Sequence, residues 1–398
     1  MQTNVIKNDE KLIQQVLTRG VEEVIVRESL EKKLRSGKKL RIKLGIDPTS
    51  PNLHIGRAIT LLKLQDFQKL GHQIVFIIGD FTGVIGDTSD KDSERPMLKR
   101  DAVEENMKTY AEQAGEILDM DKCEVYRNSE WLAKIGYAEL GEQADCFSLS
   151  DFIDRENIKR RLDAGTRVSL REVLYPLMQG YDSVAVKADV EIGGTDQKFN
   201  LLAGRELQKH FKQEPQDIIT GPLLEGTDGR KMSSSWGNTI TLTAEPNDMY
   251  GKIMSIGDNL IIKYFTLTTR VAMEEIAGYE KEMKSGTNPR DIKMKLAREI
   301  VKMYHGELSA DAAQENFIKV IQKKETPDEM EEIMAEKGSE LGETLVKNKI
   351  LSSKGEFARL VKGKAVNVDG EVISDIKIKL AKTSVIKIGK RRYVRIKI

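Results

Sequence analysis

The chain has 398 residues, 39% hydrophobic and 32% charged, a balance that suits a globular protein with room for two or three domains. Its two cysteines, Cys123 and Cys146, stand apart from any Cys-x-x-Cys or His/Cys cluster, which argues against a disulfide framework or a structural zinc site. No apolar run reaches the roughly 18–20 residues of a membrane span, and the polar start MQTNVIKNDEKL is unlike a secretory signal, so a cytoplasmic protein with no membrane partner is expected.

Residues 1 to about 38 read as amphipathic helix, with Leu12, Val16, Val21, Val24 and Leu30 among charged neighbours. LRIKLGID (40–47) reads as a strand that ends in a Gly/Pro-rich turn. A helix carrying Ile55, Ile59, Leu62 and Phe67 follows, then the strand QIVFIIGDF (73–81). Such a strand–helix–strand crossover is the unit of a parallel sheet. From about 98 to 175 the pattern is mostly helical, and the alternation resumes with DVEIGG (189–194), a helix from Gln197 to about Lys212, and QDIITGPLL (216–224). The expected fold class is α/β: a doubly wound parallel sheet with a large insertion at about 120–170.

From Pro246 to about Glu340 strands are expected to give way to helices such as RDIKMKLAREIVKMYH (290–305). The last stretch, 345–398, reads as a small α+β domain. Ser353 and Glu356 have capping-box spacing ahead of Phe357, Leu360 and Val361, and TSVIKIGKRRYVRIKI reads as a hairpin with one apolar and one cationic face. From Lys347 onward there are 15 Lys/Arg against 4 Asp/Glu, so the net charge of +1 conceals an acidic body with a basic tail. Such a tail suits nucleic acid or a solvated lysine-rich face, and charge alone does not separate the two.

Two runs carry chemistry. In GIDPTSPNLHIGRA (45–58) a strand ends at Asp47-Pro48 and a helix begins near Leu53 or His54. Free backbone N–H groups and a positive dipole end suit phosphate there, and Thr49 and His54 are candidate donors. Gly56 allows a base or phosphate to approach the backbone. In GRKMSSSWGN (229–238) Lys231 stands beside three hydroxyls in a loop, a mobile cation suited to grasping phosphate. Each run alone is compatible with a helix cap or a surface loop; their joint occurrence is not easily accidental.

Together they resemble the HIGH and KMSKS motifs of class I aminoacyl-tRNA synthetases, and the flanking residues are similar to the tyrosyl enzymes from about Thr18 to the C-terminus. The resemblance implies a Rossmann-like catalytic domain (1–225), a motif-bearing linker (226–245), a helical anticodon-binding domain (246–340) and an RNA-binding domain (345–398). It implies tyrosine activation with ATP and magnesium, then transfer to tRNA. Thr49, His54, Lys91, Arg95, Lys231 and Ser233 would act on the triphosphate, with Asp47, Gly56, Arg57, Gly194 and Asp196 around the nucleotide. Asp87, Tyr175 and Gln179 would hold the tyrosine ammonium, Asp182 would receive the phenol, and Gln197 would lie beside the amino acid.

The same resemblance makes Lys354, Arg359, Lys362, Lys364, Arg391 and Arg392 RNA contacts, and makes the insertion a homodimer contact. In it Phe147, Leu149, Phe152 and Ile153 suit either an interface or the interior of one subunit. Three positions depart from the family pattern. Arg57 replaces the closing His, Ser234 replaces the second Lys of the loop motif, and Lys43 stands where some members place a tyrosine against the phenol. Rival expectations are a tryptophanyl-tRNA synthetase, a nucleotidyltransferase, or an RNA-binding protein derived from a synthetase.

Overall fold

A strand covered by helices on both faces needs a continuous apolar run rather than alternation. QIVFII has one, and Ile74 to Ile77 are fully buried. The computed structural model describes residues 6–88, 97–319, 330–389 and 392–398. The chain divides after Gly306 into two units, residues 1–306 and 307–398. The Pro289–Phe317 helix breaks there, because Gly306 adopts φ 80°, ψ 169°.

The first unit is built on a six-stranded sheet of β1 (Glu23–Ile25), β2 (Arg41–Ile46), β3 (Gln73–Ile78), β4 (Cys123–Arg127), β5 (Val190–Gly194) and β6 (Asp217–Gly221), in the spatial order β1-β6-β5-β2-β3-β4. Strands β2 to β6 run parallel and only β1 is antiparallel, against β6. The chain winds outward in both directions from β2, so the carboxyl ends of β2, β3 and β5 meet at a switch point, where such sheets form a crevice. The expected α/β fold class is therefore observed, with antiparallel pairing confined to one edge.

Three strands fall where helix was expected. β1 interrupts the N-terminal helical stretch, which splits into Glu10–Thr18 and Arg27–Arg35 around Gly20 at φ 62°. β4 lies at the sheet edge inside the insertion and leaves Val125 42% exposed, so it lacks the apolar density of the inner strands. A third, β7 (Glu331–Met334), belongs to the second unit. Strand β3 also ends at Ile78 rather than 81, because a short helix starts at Asp80.

The second unit has a five-stranded sheet, with β8 (Val366–Val368), β9 (Glu371–Val372), β10 (Ser384–Ile388) and β11 (Arg392–Lys397) joined by β7 in the order β7-β11-β10-β8-β9. The expected hairpin is β10 against β11. Asp369 (φ 50°) and Gly370 (φ 91°) form the two-residue turn between β8 and β9, the left-handed geometry that an Asp-Gly pair favours. The Ser353 hydroxyl caps the Lys354–Lys362 helix by accepting from the Glu356 N–H. The Glu356 carboxylate reaches Ser352 rather than Ser353, so the expected box is only half closed. Phe357, Val361, Ile386, Val394 and Ile396 are buried in this unit's own apolar core.

In the first unit, the Leu170–Val186 and Lys198–His210 helices pack closely through Gly180 and Gly204. A Cβ on Gly204 would lie 2.7 Å from Gln216 Nε2 and 3.0 Å from Ser183 Oγ. Gly204→Ala is therefore expected to destabilise the protein by about 1–3 kcal/mol in urea unfolding, against the roughly 1 kcal/mol that helix propensity alone favours. A stabilised variant would show that this contact relaxes freely.

Candidate active site

The strand ends open into a cavity of about 480 Å³ whose wall includes Asp47, Thr49, His54, Gly56, Arg57, Asp87, Tyr175, Gln179, Asp182, Gly194, Asp196, Gln197, Lys231 and Ser233. The expected catalytic, nucleotide and tyrosine residues thus converge on one space, apart from Lys91 and Arg95, which lie outside the described residues. Arg391 and Lys390 in the second unit lie outside them as well.

At one end, His54 is the N-cap of the Ile55–Lys69 helix. Backbone bonds from Ile55 N–H to Ile240 O (2.9 Å) and from Leu242 N–H to Leu53 O (2.9 Å) stitch this helix start to the segment after the Lys231 loop. The two sequence motifs therefore face one another across a short two-stranded contact. Asn238 sets the loop's shape: its Oδ1 accepts from the Ser233 N–H at 2.8 Å, and its Nδ2 donates to Lys231 O at 3.0 Å. Ser234 Oγ lies 3.3 Å from Ser50 Oγ, so the serine that replaces a lysine faces the first motif. Lys231 reaches Asp196 Oδ2 at 2.9 Å.

Burial, with the Arg57 and Lys231 charges adding, pushes His54 down to about 3, so its imidazole is neutral at physiological pH. Its Nδ1 is buried with no hydrogen-bond partner. Gly56 keeps the neighbouring space open, since a Cβ there would come within 3.0 Å of that nitrogen. A neutral ring beside two cations can donate a hydrogen bond to an anion without itself being desolvated as a charge.

The middle of the cavity is organised by Asp47. Its Oδ1 accepts from Thr82 Oγ1 (2.6 Å) and its Oδ2 from Tyr175 Oη (2.8 Å). Surrounding protein raises Asp47 to about 6, although both hydrogen bonds pull the other way. Burial, with the Asp47 and Asp87 carboxylates, pushes the Tyr175 phenol well above its usual range, so it stays protonated and donates. Gly79 makes this possible, because a Cβ at that position would sit 2.1 Å from Asp47 Oδ1.

At the other end, Asp182 is 3% exposed and accepts from Trp131 Nε1 (2.8 Å) and Asn128 Nδ2 (3.3 Å). A chain of amides runs alongside: Asn200 Nδ2 donates to both Gln179 Oε1 (3.0 Å) and Gln197 Oε1 (3.1 Å), and Gln197 Nε2 donates to Asp87 Oδ2 (2.7 Å). Lys43 lies under this floor with its Nζ 2.7 Å from Glu191 Oε1, and it also donates to Ser183 Oγ and the Gln179 carbonyl. Sequence reasoning missed Thr82, Gly79, Asn128, Trp131, Glu191 and Asn200. Only Gly79, at the end of a strand, and Glu191, a carboxylate inside an apolar strand, carried any sequence signal.

Of the six basic residues expected to meet RNA, the five described, Lys354, Arg359, Lys362, Lys364 and Arg392, are all exposed. Lys354 pairs with Glu343, and Arg392 pairs with Glu331 and donates to Ile350 O. Arg395 and Lys397 both pair with Glu332. The acidic strand β7 therefore neutralises part of the hairpin's basic edge.

Burial raises the Asp182 carboxyl to about 7, with Lys43 and the two donors acting against that shift. A carboxyl raised from 3.8 to about 7 contributes stability that is complete below 3.8 and lost as pH rises through 7. Asp182→Asn removes that loss. The variant is expected to exceed the parent by about 2–4 kcal/mol above pH 7 and to converge with it near pH 4, in thermal unfolding read across that range. Equal stability at pH 8 would show that the ionised carboxylate is fully solvated by its neighbours.

The family model for class I tRNA synthetases of the tryptophan and tyrosine type matches residues 35–322. The tyrosine–tRNA ligase of Thermotoga maritima is 47% identical over 385 residues, covering 96% of each chain. The second tyrosine–tRNA ligase of Pseudoalteromonas translucida is 46% identical over 387 residues, covering 96% of this chain and 97% of its own. The fold is shared with the L-tyrosine complex of the Archaeoglobus fulgidus tyrosyl-tRNA synthetase (TM-score 0.61, 23% identity, 77% of this chain and 99% of that one). It is shared too with a truncated mitochondrial tyrosyl-tRNA synthetase of Aspergillus nidulans (TM-score 0.66, 21% identity, 78% and 94%). With its two motifs facing across one cavity and near-full-length relatives at this identity, the chain belongs to the class I tRNA synthetases of the tryptophan and tyrosine group.

Proposed function

We propose that the protein is a tyrosine–tRNA ligase: it joins tyrosine to AMP at the expense of ATP, releasing pyrophosphate, and then transfers tyrosine to the 3′ end of its tRNA. One observation carries this reading. A single cavity has a cationic phosphate end, with His54, Arg57 and Lys231, and a buried carboxylate end at Asp182. An amino acid with a phenol fits between them, its hydroxyl at Asp182 and its ammonium at Asp87, Tyr175 and Gln179. Leaving a hydrogen-bonding site unfilled is costly, so such a pocket rejects an analogue without the hydroxyl; a tyrosyl-tRNA synthetase excluding phenylalanine is the standard worked example of that rule.

The tyrosine carboxylate is already ionised and attacks the α-phosphorus directly, so the protein supplies neither a covalent intermediate nor a general base. Its work is positioning and charge stabilisation. Thr49, neutral His54, Lys231 and Ser233 meet the oxygens that gain charge as pyrophosphate leaves, and Lys91 and Arg95 join them from the neighbouring loop. Asp47, Gly56, Arg57, Gly194 and Asp196 surround the nucleotide. Lys231 must leave Asp196 to reach phosphate, so that ion pair is the resting position of the loop.

Among the described residues no group of three or more His, Cys, Asp or Glu side chains is placed to hold a metal ion. Magnesium would enter with the ATP phosphates as part of the substrate.

The remaining roles follow from surfaces. Residues 246–306 would face the anticodon, and the exposed bases Arg359, Lys362 and Lys364 would meet tRNA phosphates, with Lys354, Arg391 and Arg392 beside them. Dimerisation is supported by large apolar side chains left exposed in and beside the insertion, Tyr137 (95%), Leu149 (66%) and Leu170 (68%). Phe152 does not belong to that surface: it is buried against Phe147 and Phe199. Among the described residues no helix is long and apolar enough to cross a membrane, and a cytoplasmic location accords with the substrates.

Pyrophosphate exchange across amino acids tests the reading: tyrosine should support it and phenylalanine should not, whereas tryptophan-driven exchange would overturn it. Lys231→Ala should lower exchange by about 10²–10³-fold, the scale lost with one preorganised donor, while leaving tyrosine binding intact. Ending the chain at Gly306, rather than between β7 and its partner β11, should preserve exchange and abolish tRNA charging; loss of both activities would contradict the assigned division of labour.

A further inference from the structure

Lys43 has no role in the chemistry above, yet it is fully buried and spends its charge within the tyrosine pocket's floor. It rises from β2 between β5 and the Leu170–Val186 helix. Its three partners are Glu191 Oε1 at 2.7 Å, Ser183 Oγ at 2.8 Å and the Gln179 carbonyl at 2.9 Å. Ser183 Oγ in turn donates to Glu191 Oε2 at 3.0 Å, and Gln216 Nε2 donates to the same oxygen. Gln179 and Ser183 are one helical turn apart, and Asp182 lies between them on the same turn. The ammonium thus grips both ends of the segment that carries two of the tyrosine contacts.

We infer that Lys43, fixed by Glu191, is a positioning and specificity residue for the tyrosine pocket: it locks the 179–183 turn and sets a positive charge behind the carboxylate that receives the phenol. The inference rests on the tyrosine reading of the cavity and extends it to a residue that touches no substrate. A polar residue at position 43 that met the phenol itself would act by direct contact; Lys43 acts through Asp182. Among the described residues, Asp182 is faced by Lys43 from β2, Glu191 from β5 and Tyr175 from its own helix, and it accepts from the neutral donors Asn128 and Trp131. Lys43 pulls the Asp182 proton affinity down more than Glu191 pushes it up, so the ion pair acts as a dipole with its positive end toward the phenol site.

The two members of the pair therefore have opposite effects on one observable, the acid limb of tyrosine kcat/KM. Removing Lys43 alone strands a buried carboxylate and threatens folding, so the informative variant is Lys43→Met with Glu191→Gln. Its folding is read by thermal melting, its kinetics by pyrophosphate exchange from pH 6 to 9, and its binding by equilibrium dialysis of labelled tyrosine, which needs no turnover. Tyrosine KM and the dialysis Kd are expected to rise on the order of 10-fold to 100-fold, with ATP KM unchanged. The acid limb should move up by about 1 pH unit, whereas Glu191→Gln alone, which leaves Lys43 unpaired and is read only with its own melt showing a folded chain, should move it down. A folded double variant with tyrosine affinity and acid limb both unchanged overturns the inference, as does a loss shared equally by ATP. Failure of the functional reading is separate: it appears as absence of tyrosine-dependent exchange in the unaltered protein.

Discussion

The Lys43–Glu191 ion pair lies wholly out of water between two parallel strands, and the floor of the cavity is built over it. A buried pair of this kind contributes little net stability, since desolvation offsets most of the attraction. What it supplies is geometry. Both charges are satisfied only if Ser183, the Gln179 carbonyl and Gln216 stand where they do, and this requires close approach of the two helices that cross at Gly180 and Gly204. The cavity residues Gln179 and Asp182 inherit their positions from this network.

The two ends of the cavity handle charge in opposite ways. At the phosphate end, burial keeps His54 neutral while Arg57 and Lys231 remain as the cations, so the site offers fixed donors without crowding three positive groups together. At the other end, burial favours a protonated Asp182, and the Trp131 and Asn128 donors together with Lys43 restrain that tendency. Asp47 and Tyr175 join the two ends, with Gly79 leaving the space that the Asp47 carboxylate and the Thr82 hydroxyl occupy.

In the second unit the abundance of basic residues overstates the free positive surface. Glu331 and Glu332 on β7 occupy Arg392, Arg395 and Lys397 at the exposed edge, while Arg359, Lys362 and Lys364 on and after the helix stay exposed. Exposed pairs of this type are weak and yield readily to a competing phosphate. The strand therefore pairs with part of the basic edge without fixing it rigidly.

Much of this was legible in the chain itself. The strand–helix–strand alternation through β2, β3, β5 and β6 announced a parallel sheet, because parallel neighbours need a long crossover connection. The phosphate motifs were readable because strand ends and helix starts have local rules of turn and charge, and Asp182, Gln179 and Tyr175 share one helix whose spacing brings them near one another. β1, β4 and β7 were not legible: each is a short edge strand with at most one buried residue, stabilised by partners distant in the chain rather than by its own periodicity. The partners of Lys43 could not be read either, since Ser183 and Glu191 lie about 140 residues or more away in the chain. Local sequence thus determined which residues bear charge and which elements carry them. Only the tertiary structure decided which charges are buried together, because desolvation and pairing depend on neighbours brought in by the folded sheet.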